Sequence, residues 1–470
     1  GEVHLASLLD LGADLESSMR NSWNRSVAAP STLIGVGEEG PISIDLVADG
    51  PHALLGGTTG SGKSELLRTL VAGLVVGSGP AALNFVLIDY KGGSAFDACR
   101  ALPHTVGVVT DLDDHLAERA LMCLGAELRH REARLRVAGV SDIADFNPSG
   151  DDPLPRLLVV VDEFAALAKE LPDFLEALLG IAQRGRSLGV HLLLATQRPA
   201  GVITEGIKAN TNLRIALRMQ DAADSVDVVG SVGAAQISRA LPGRGLARLG
   251  PGDVVPFQTA LVTGRSLGAA PAPIRTAPFE FAHEQAPAPM RSGLVDGPTD
   301  LDRIVDTAQR VAASLQLPLP RLPWPPPLPV SLSLDELDEQ GEAGTVFGLA
   351  DEPHRQRQVG AEWSTSSGNM LLYGLPGSGT TTALSTIAIG LCRDNEPDRM
   401  HLYLLDFDDQ QLRPLRCLPH VGAVVGGSER ERQLRLLRRL ADELQRRRDM
   451  VAADPAGLAG HPVVVTMLDN

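Results

Sequence analysis

The sequence predicts an α/β chain built from two tandem domains, each a parallel sheet flanked by helices. Two observations predict it. Short apolar runs of strand length alternate with longer helical stretches, the pattern of a parallel sheet covered on both faces. A set of landmarks in the first half also recurs in the second at matching distances.

In chain order, residues 7–27 carry apolar positions at helical spacing and end near Pro30, which predicts a lead-in helix. "LIGVGEEGPISIDL" (Leu33–Leu46) alternates in short runs and reads as a hairpin, and His52–Leu55 as a short strand. "GGTTGSGKSELLRTLVAGLVV" follows, a glycine-rich turn leading into an apolar helix. Buried strands are expected at Leu83–Tyr90, Arg156–Phe164, Gly189–Pro199 and Leu213–Met219, with a charged helix from about His115 to Val137.

Between residues 265 and 345 the composition turns Pro- and Ala-rich, with one helix expected over Thr299–Leu315, capped by Thr299 or Asp300. "LPRLPWPPPLP" then reads as extended polyproline-like chain around Trp324. Trp324 and its leucines are costly to expose, so this segment is expected to pack rather than only tether.

The second half repeats the first. Asp406 follows Gly374 by 32 residues, as Asp89 follows Gly57. "LPHTVGVV" at Leu102 matches "LPHVGAVV" at Leu418, each followed by a charged helix. "LLVVVDE" is echoed by "VVVTMLDN" at the end. The expected domains are a helical lead-in over 1–34, an intact domain over 35–264, a Pro-rich connector with a helix over 265–345, and a degraded copy over 346–470 that stops after its third landmark.

Composition sets bounds. The 470 residues suffice for two or three cores, and 44% hydrophobic content fits globular packing. The four cysteines form no CxxC pair, so neither a zinc site nor a disulfide framework is indicated, and a reducing compartment is the simple reading. No apolar run reaches the length of a membrane span, and no signal peptide is visible. Gly1 is not an initiator Met, and the chain is expected to be a piece of a longer protein. A net charge of −16 argues against a surface coated for DNA, yet leaves room for a small basic channel inside a ring.

"GTTGSGKS" (Gly57, Thr58, Thr59, Gly60, Ser61, Gly62, Lys63, Ser64) is a complete P-loop, placed between a strand and a helix as that motif requires. Its backbone amides can cradle phosphates, Lys63 can meet the β- and γ-phosphates of ATP, and Ser64 can offer a hydroxyl to Mg²⁺. Asp162 and Glu163 end an apolar strand. Asp162 fits a role on Mg²⁺, and Glu163 that of general base for the attacking water, which favours hydrolysis over phosphotransfer. Gln197 ends the next strand, where it could sense the γ-phosphate, orient water, or only cap a strand edge. Asp89 also ends a strand and could relay the nucleotide state. The transition state needs a further cation; Arg119, Arg214 and Arg218 are open alternatives, and one supplied by a neighbouring subunit would couple turnover to assembly. In the second copy Gly374, Gly377, Gly379 and Thr381 keep the cradle and the hydroxyl. Thr380 replaces the lysine and Asp469–Asn470 the acid pair, so hydrolysis is expected to be feeble or absent there while nucleotide binding can persist.

"GTTGSGKSE", "VLIDYKGG", "VVVDEFAAL", "QRGRSLGVHLLLATQRP" and "IKANTNLRIALR" resemble the FtsK/SpoIIIE group of hexameric P-loop motors, and the tandem, partly degenerate arrangement resembles the EccC/EssC ATPases of type VII secretion. The resemblance implies an ATP- and Mg²⁺-dependent ATPase that is weak as an isolated piece. It implies hexameric rings and an arginine finger, for which Arg119 and Arg214 are the candidates. It also implies partnership with membrane secretion components and with small helical-hairpin substrates of the WXG100 class. The place implied is the cytoplasmic face of the cell membrane, anchored by segments outside this sequence, with the connector or second domain restraining the first. "ATQRP" is closer to the DNA-translocase spelling, so DNA translocation stands as the alternative; a nucleotide-binding scaffold without turnover is the third reading.

Overall fold

The protein is described here from a computed structural model. It describes residues 2–12, 14–25, 29–90, 95–110, 114–146, 153–170, 172–250, 252, 254–265, 297–337, 344–407, 411–454, 456–458 and 460–469. Most of the expected Pro-rich connector (266–296), Lys91–Gly93 and Asn470 therefore lie outside the described residues. The chain divides into two compact units: residues 1–325 with 353–356, and residues 326–352 with 357–470.

The first unit opens with two short helices, α1 (Leu5–Leu8) and α2 (Leu15–Trp23), rather than the single lead-in helix expected. Asp10 takes a left-handed backbone (φ 51°), which ends the first helix, and Asp14 caps the second by accepting from the Ser17 N–H. The elements that follow are β1 (Ser31–Gly37), β2 (Gly40–Asp45), β3 (His52–Gly56), α3 (Lys63–Gly77), β4 (Leu83–Asp89), β5 (Thr105–Thr110), α4 (Asp114–Ala138) and β6 (Arg156–Asp162). Next come α5 (Phe164–Glu170), α6 (Pro172–Leu188), β7 (Val190–Thr196), α7 (Glu205–Asn210), β8 (Leu213–Leu217), α8 (Ala222–Val229), β9 (Arg244–Leu249), β10 (Val254–Thr259) and α9 (Asp300–Ser314). α9 starts with a reciprocal capping box between Thr299 and Asp302, so Thr299 is the cap.

One sheet of ten strands runs through this unit in the order β2-β1-β10-β9-β8-β3-β7-β6-β4-β5. From β8 to β5 neighbours are parallel; from β8 to β2 they are antiparallel. The expected hairpin at residues 33–46 is thus the far edge of the main sheet, joined through β9 and β10.

Side chains alternate across the parallel part, as the two-residue strand period demands. Phe85, Leu87, Leu158 and Val160 join the core under α2, α3 and α9. Val86, Ile88, Val159 and Val161 join the core under α4, α6 and α8, which also takes Trp324. Trp324 packs there, as the cost of exposing it predicts, but Leu319 and Leu322 of the same segment stay exposed, against the expectation for its leucines.

The second unit holds α10 (Leu334–Leu337), the antiparallel pair β11 (Thr345–Glu352) and β12 (Arg357–Trp363), α11 (Thr380–Asp394), β13 (Met400–Asp406), β14 (Val421–Gly426), α12 (Arg430–Ala453) and β15 (Val463–Asp469). Its parallel sheet runs β14-β13-β15, matching β5-β4-β6.

The internal repeat extends to individual side-chain locks. Asp89 lies in register with Asp162, and Asp406 with Asp469. The His104 ring meets the Ser78 carbonyl at 2.7 Å, and the His420 ring meets the Asn395 carbonyl at 2.7 Å. A side chain at Gly73 would collide with Thr32, and one at Gly390 with Thr345, so each helix glycine allows close approach to a strand. Glu127 accepts from Arg131, whose guanidinium also donates to the Pro155 carbonyl (2.7 Å); Glu443 and Arg447 repeat this pair, with Arg447 donating to the Pro462 carbonyl (2.8 Å).

In the first unit this lock is buried and has a third member, Arg321, at 2.6 Å from Glu127. Burial alone would push the Glu127 carboxyl up, but Arg131 and Arg321 outweigh it and hold it at about 2, against an ordinary 4.5. A carboxyl lowered on folding contributes stability above its unfolded value and loses it as pH falls through the folded one. Glu127→Gln, which leaves Arg131 buried without its counter-charge, is therefore expected to cost about 3 kcal/mol in urea denaturation at pH 7. The gap between variant and wild type should narrow as the pH is taken down from 4.5 towards 2.

Candidate functional site

The parallel strands deliver the site residues to one end of the sheet. Three of the predicted groups follow β3, β6 and β7 directly, and their neighbours in the ladder fix their relative heights. Gly56 lies opposite Thr196 on one side and Ala216 on the other. The loop Gly57–Gly62 leaves the end of β3 and enters α3 at Lys63. Gly60 and Gly62 have φ of 73° and 98°, a left-handed backbone that L side chains rarely adopt. A side chain at Gly57 would meet the Ser61 hydroxyl, so the loop closes on itself at its base. α3 has no side-chain cap, which leaves its first-turn amides for an anion.

Lys63 is almost fully buried, and its ammonium pairs with Asp162 across the end of β6. Asp162 also accepts from the Glu163 N–H at 2.9 Å. β6 stops at Asp162, and Glu163 turns the chain with φ 61° before α5 begins at Phe164. A glutamate in that region stores about 1–3 kcal/mol of backbone strain, the kind of cost seen where a side chain must be aimed. Its Oε1 accepts from the Gln197 N–H at 3.3 Å. Its Oε2 is buried with no hydrogen-bond partner, and so is the Ser61 hydroxyl. Two orphaned polar atoms beside a glycine cradle fit a polar ligand at this end of the sheet. They fit ATP with Mg²⁺, which Ser64, half-buried at the second position of α3, and Asp162 would hold.

Gln197 is brought to the loop: the Thr59 hydroxyl donates to its side-chain oxygen at 2.9 Å. Asp89 is buried at the end of β4, one strand beyond Asp162. The arginines are engaged elsewhere within the first unit. Arg119 donates to the Pro325 carbonyl at 2.6 Å, and Arg214 to the Thr211 and Lys208 carbonyls at 2.8 and 2.6 Å. Arg218, by contrast, donates to the Thr59 carbonyl at 3.0 Å, on the phosphate loop itself. Gly243, which precedes β9, also touches the loop, its N–H meeting the Ser61 carbonyl at 2.8 Å. Sequence reasoning missed Gly243 because β9 carries no motif, and only the fold returns that strand to the loop.

The second loop keeps the cradle. Gly377 and Gly379 have φ of 83° and 93°, and a side chain at Gly374 would meet the Ser378 hydroxyl, as at Gly57. Thr380 opens α11 where Lys63 opens α3, and Thr381 follows. The chain leading into this loop is not a strand: Leu371 and Tyr373 are 82% and 90% exposed, whereas Leu54 and Leu55 of β3 are buried. β3 is held by β7 and β8 on both sides, and no described residue of the second unit takes their place. Asp406 and Asp469 remain buried side by side.

The sequence profile of the FtsK/SpoIIIE family matches residues 15–201 and 336–456. The type VII secretion system protein EssC of Staphylococcus aureus is 32% identical over 491 residues, covering 96% of this chain and 33% of its own length. The ESX secretion system protein EccC of Geobacillus thermodenitrificans is 33% identical over 455 residues, covering 90% and 30%. The chain thus spans about a third of the length of these relatives. Among solved structures, the cytoplasmic domain of the Thermomonospora curvata type VII secretion ATPase EccC superposes with a TM-score of 0.81 at 29% identity, over 100% of this chain and 57% of that one. A complete P-loop on a parallel sheet, an acid pair at the end of a strand two places along that sheet and these matches along nearly the whole chain place it: it belongs to the FtsK/SpoIIIE family of P-loop ATPases, alongside EccC and EssC.

Proposed function

We propose that this chain is the ATP-hydrolysing part of a type VII protein secretion motor, energising or gating export of small helical proteins of the WXG100 class. The observation that carries the reading is the first site, where Lys63, Asp162 and Glu163 meet around a glycine cradle. The names of the relatives supply the secretion setting.

Lys63 draws the β- and γ-phosphates against the loop amides and the start of α3. Mg²⁺, held by Ser64 and Asp162, supplies charge neutralisation at the phosphates. Glu163, next to Asp162 in the chain, keeps one carboxylate oxygen without a hydrogen-bond partner, as a general base for water requires. Gln197 bridges the two: its side chain contacts the loop and its N–H holds Glu163. The missing cation comes from a neighbouring copy in a hexameric ring, through Arg119 or Arg214, so the isolated chain turns over slowly. The second site, with Thr380 for the lysine, holds nucleotide or scaffolds without turnover. The working place is the cytoplasmic face of the membrane; among the described residues no helix is long and apolar enough to cross one.

Lys63→Ala is expected to remove most hydrolysis together with nucleotide affinity. Glu163→Gln should leave nucleotide binding intact and lower turnover at least about a hundredfold. Steady-state phosphate release, read across protein concentrations, should rise more steeply than linearly if a neighbouring arginine completes the site. Duplex DNA added to the same assay separates the alternatives: no stimulation supports the secretion reading, and strong stimulation would establish DNA translocation instead.

A further inference from the structure

The outer side of the phosphate loop is held by donors that no motif assigns. Two of its peptide groups are pinned by their carbonyls. The Thr59 carbonyl accepts from the Arg218 guanidinium at 3.0 Å, and the Ser61 carbonyl accepts from the Gly243 N–H at 2.8 Å. All described peptide bonds are trans. In a trans peptide the C=O and the following N–H point in opposite directions. Holding the Thr59 carbonyl outward therefore turns the Gly60 N–H inward, and holding the Ser61 carbonyl does the same for the Gly62 N–H. Neither amide donates to a backbone carbonyl among the described residues.

The clamp matters because the residues that follow are glycines. With no Cβ, Gly60 and Gly62 tolerate both signs of φ, so sterics alone do not stop either peptide from flipping. A flipped plane would present a carbonyl, rather than an amide, to the phosphates. Strand register places the clamp. Thr58 continues the ladder from β3, its N–H and its hydroxyl both donating to the Arg218 carbonyl at 3.0 Å. Arg218 thus grips Thr58 through its main chain and Thr59 through its side chain. Gln197, on the opposite side, takes the Thr59 hydroxyl.

We infer that Arg218 is a positioning residue for nucleotide binding, which sets the peptide plane between Thr59 and Gly60 so that the loop is a phosphate cradle before nucleotide arrives. It acts within one chain, and so differs in kind from an arginine that completes the transition state from a neighbour. The inference rests on the ATP-binding reading of this loop.

The test is equilibrium titration with a fluorescent ATP analogue and with its ADP counterpart, beside steady-state hydrolysis, on wild type, Arg218→Ala, Arg218→Lys and Lys63→Ala. Arg218→Ala should weaken both nucleotides about tenfold, the scale of one lost hydrogen bond to a charged donor, with the loss falling on KM more than on kcat. Arg218→Lys should recover most of the affinity, since an ammonium can reach the same carbonyl. Amide hydrogen exchange on the nucleotide-free protein should quicken over residues 57–62 in Arg218→Ala and not in Arg218→Lys, a readout independent of turnover. Unchanged affinity in Arg218→Ala, or a loss confined to kcat, would overturn the inference. If Lys63→Ala bound and hydrolysed as wild type does, the ATP reading itself would fail, whatever Arg218 did. If Arg218→Ala did not fold, the lysine variant would decide the matter, because a full loss of affinity there contradicts a role as carbonyl donor.

Discussion

Everything at the first site depends on β3 being paired in parallel on both flanks. A strand held on one side can slip or fray; one held by β7 and β8 is fixed in height to the residue. That pairing sets Gly56 level with Thr196 and Ala216, and the next residues of all three strands then meet around the phosphate loop. The loop and the contacts from Gln197 and Arg218 follow from that register, and the pairing of β7 with β6 extends it to the acid pair at the end of β6. It is the general logic of open parallel sheets, which gather ligand-binding groups beyond the carboxyl ends of their strands.

The repeated half makes a controlled comparison inside one molecule. Both copies keep the helix glycine against a threonine, the histidine on a carbonyl, the Glu–Arg pair on a proline carbonyl and the left-handed glycines of the loop. These are features of packing and backbone geometry. What differs is chemistry and support: Thr380 stands for Lys63, and the segment entering the second loop is exposed where β3 is buried. The shape of a phosphate cradle thus survives the loss of its charge, because glycine conformation and helix packing specify it independently of the lysine.

Much of this was legible in the sequence because the signals are local. The P-loop, the acids ending β6, a helix start at Thr299 or Asp300 and the repeat spacing are read from short stretches. Strand positions at 52–55, 83–90 and 213–219 followed from apolar runs. The misses share a physical cause. β9 and β10 contain charged or proline residues and earn their strand form by pairing antiparallel with β8 and β1, which only the assembled sheet supplies. The break between α1 and α2 turns on one left-handed aspartate, a conformation that composition does not reveal. The roles of Arg218 and Gly243 were beyond reach for the same reason, since their partners lie about 160 to 180 residues away along the chain.

The pairing of Lys63 with Asp162 has one more consequence, for the burial of charge. A lone ammonium at that depth would be expelled or neutralised, because an unpaired buried charge is strongly unfavourable. With the carboxylate beside it, the ammonium has its counter-charge and can be kept at near-full burial. On the proposed reading, nucleotide would enter by displacement: phosphate oxygens would take over the lysine, leaving Asp162 free to help hold the metal. Affinity would then measure the difference between two satisfied states rather than the full strength of the lysine–phosphate contact.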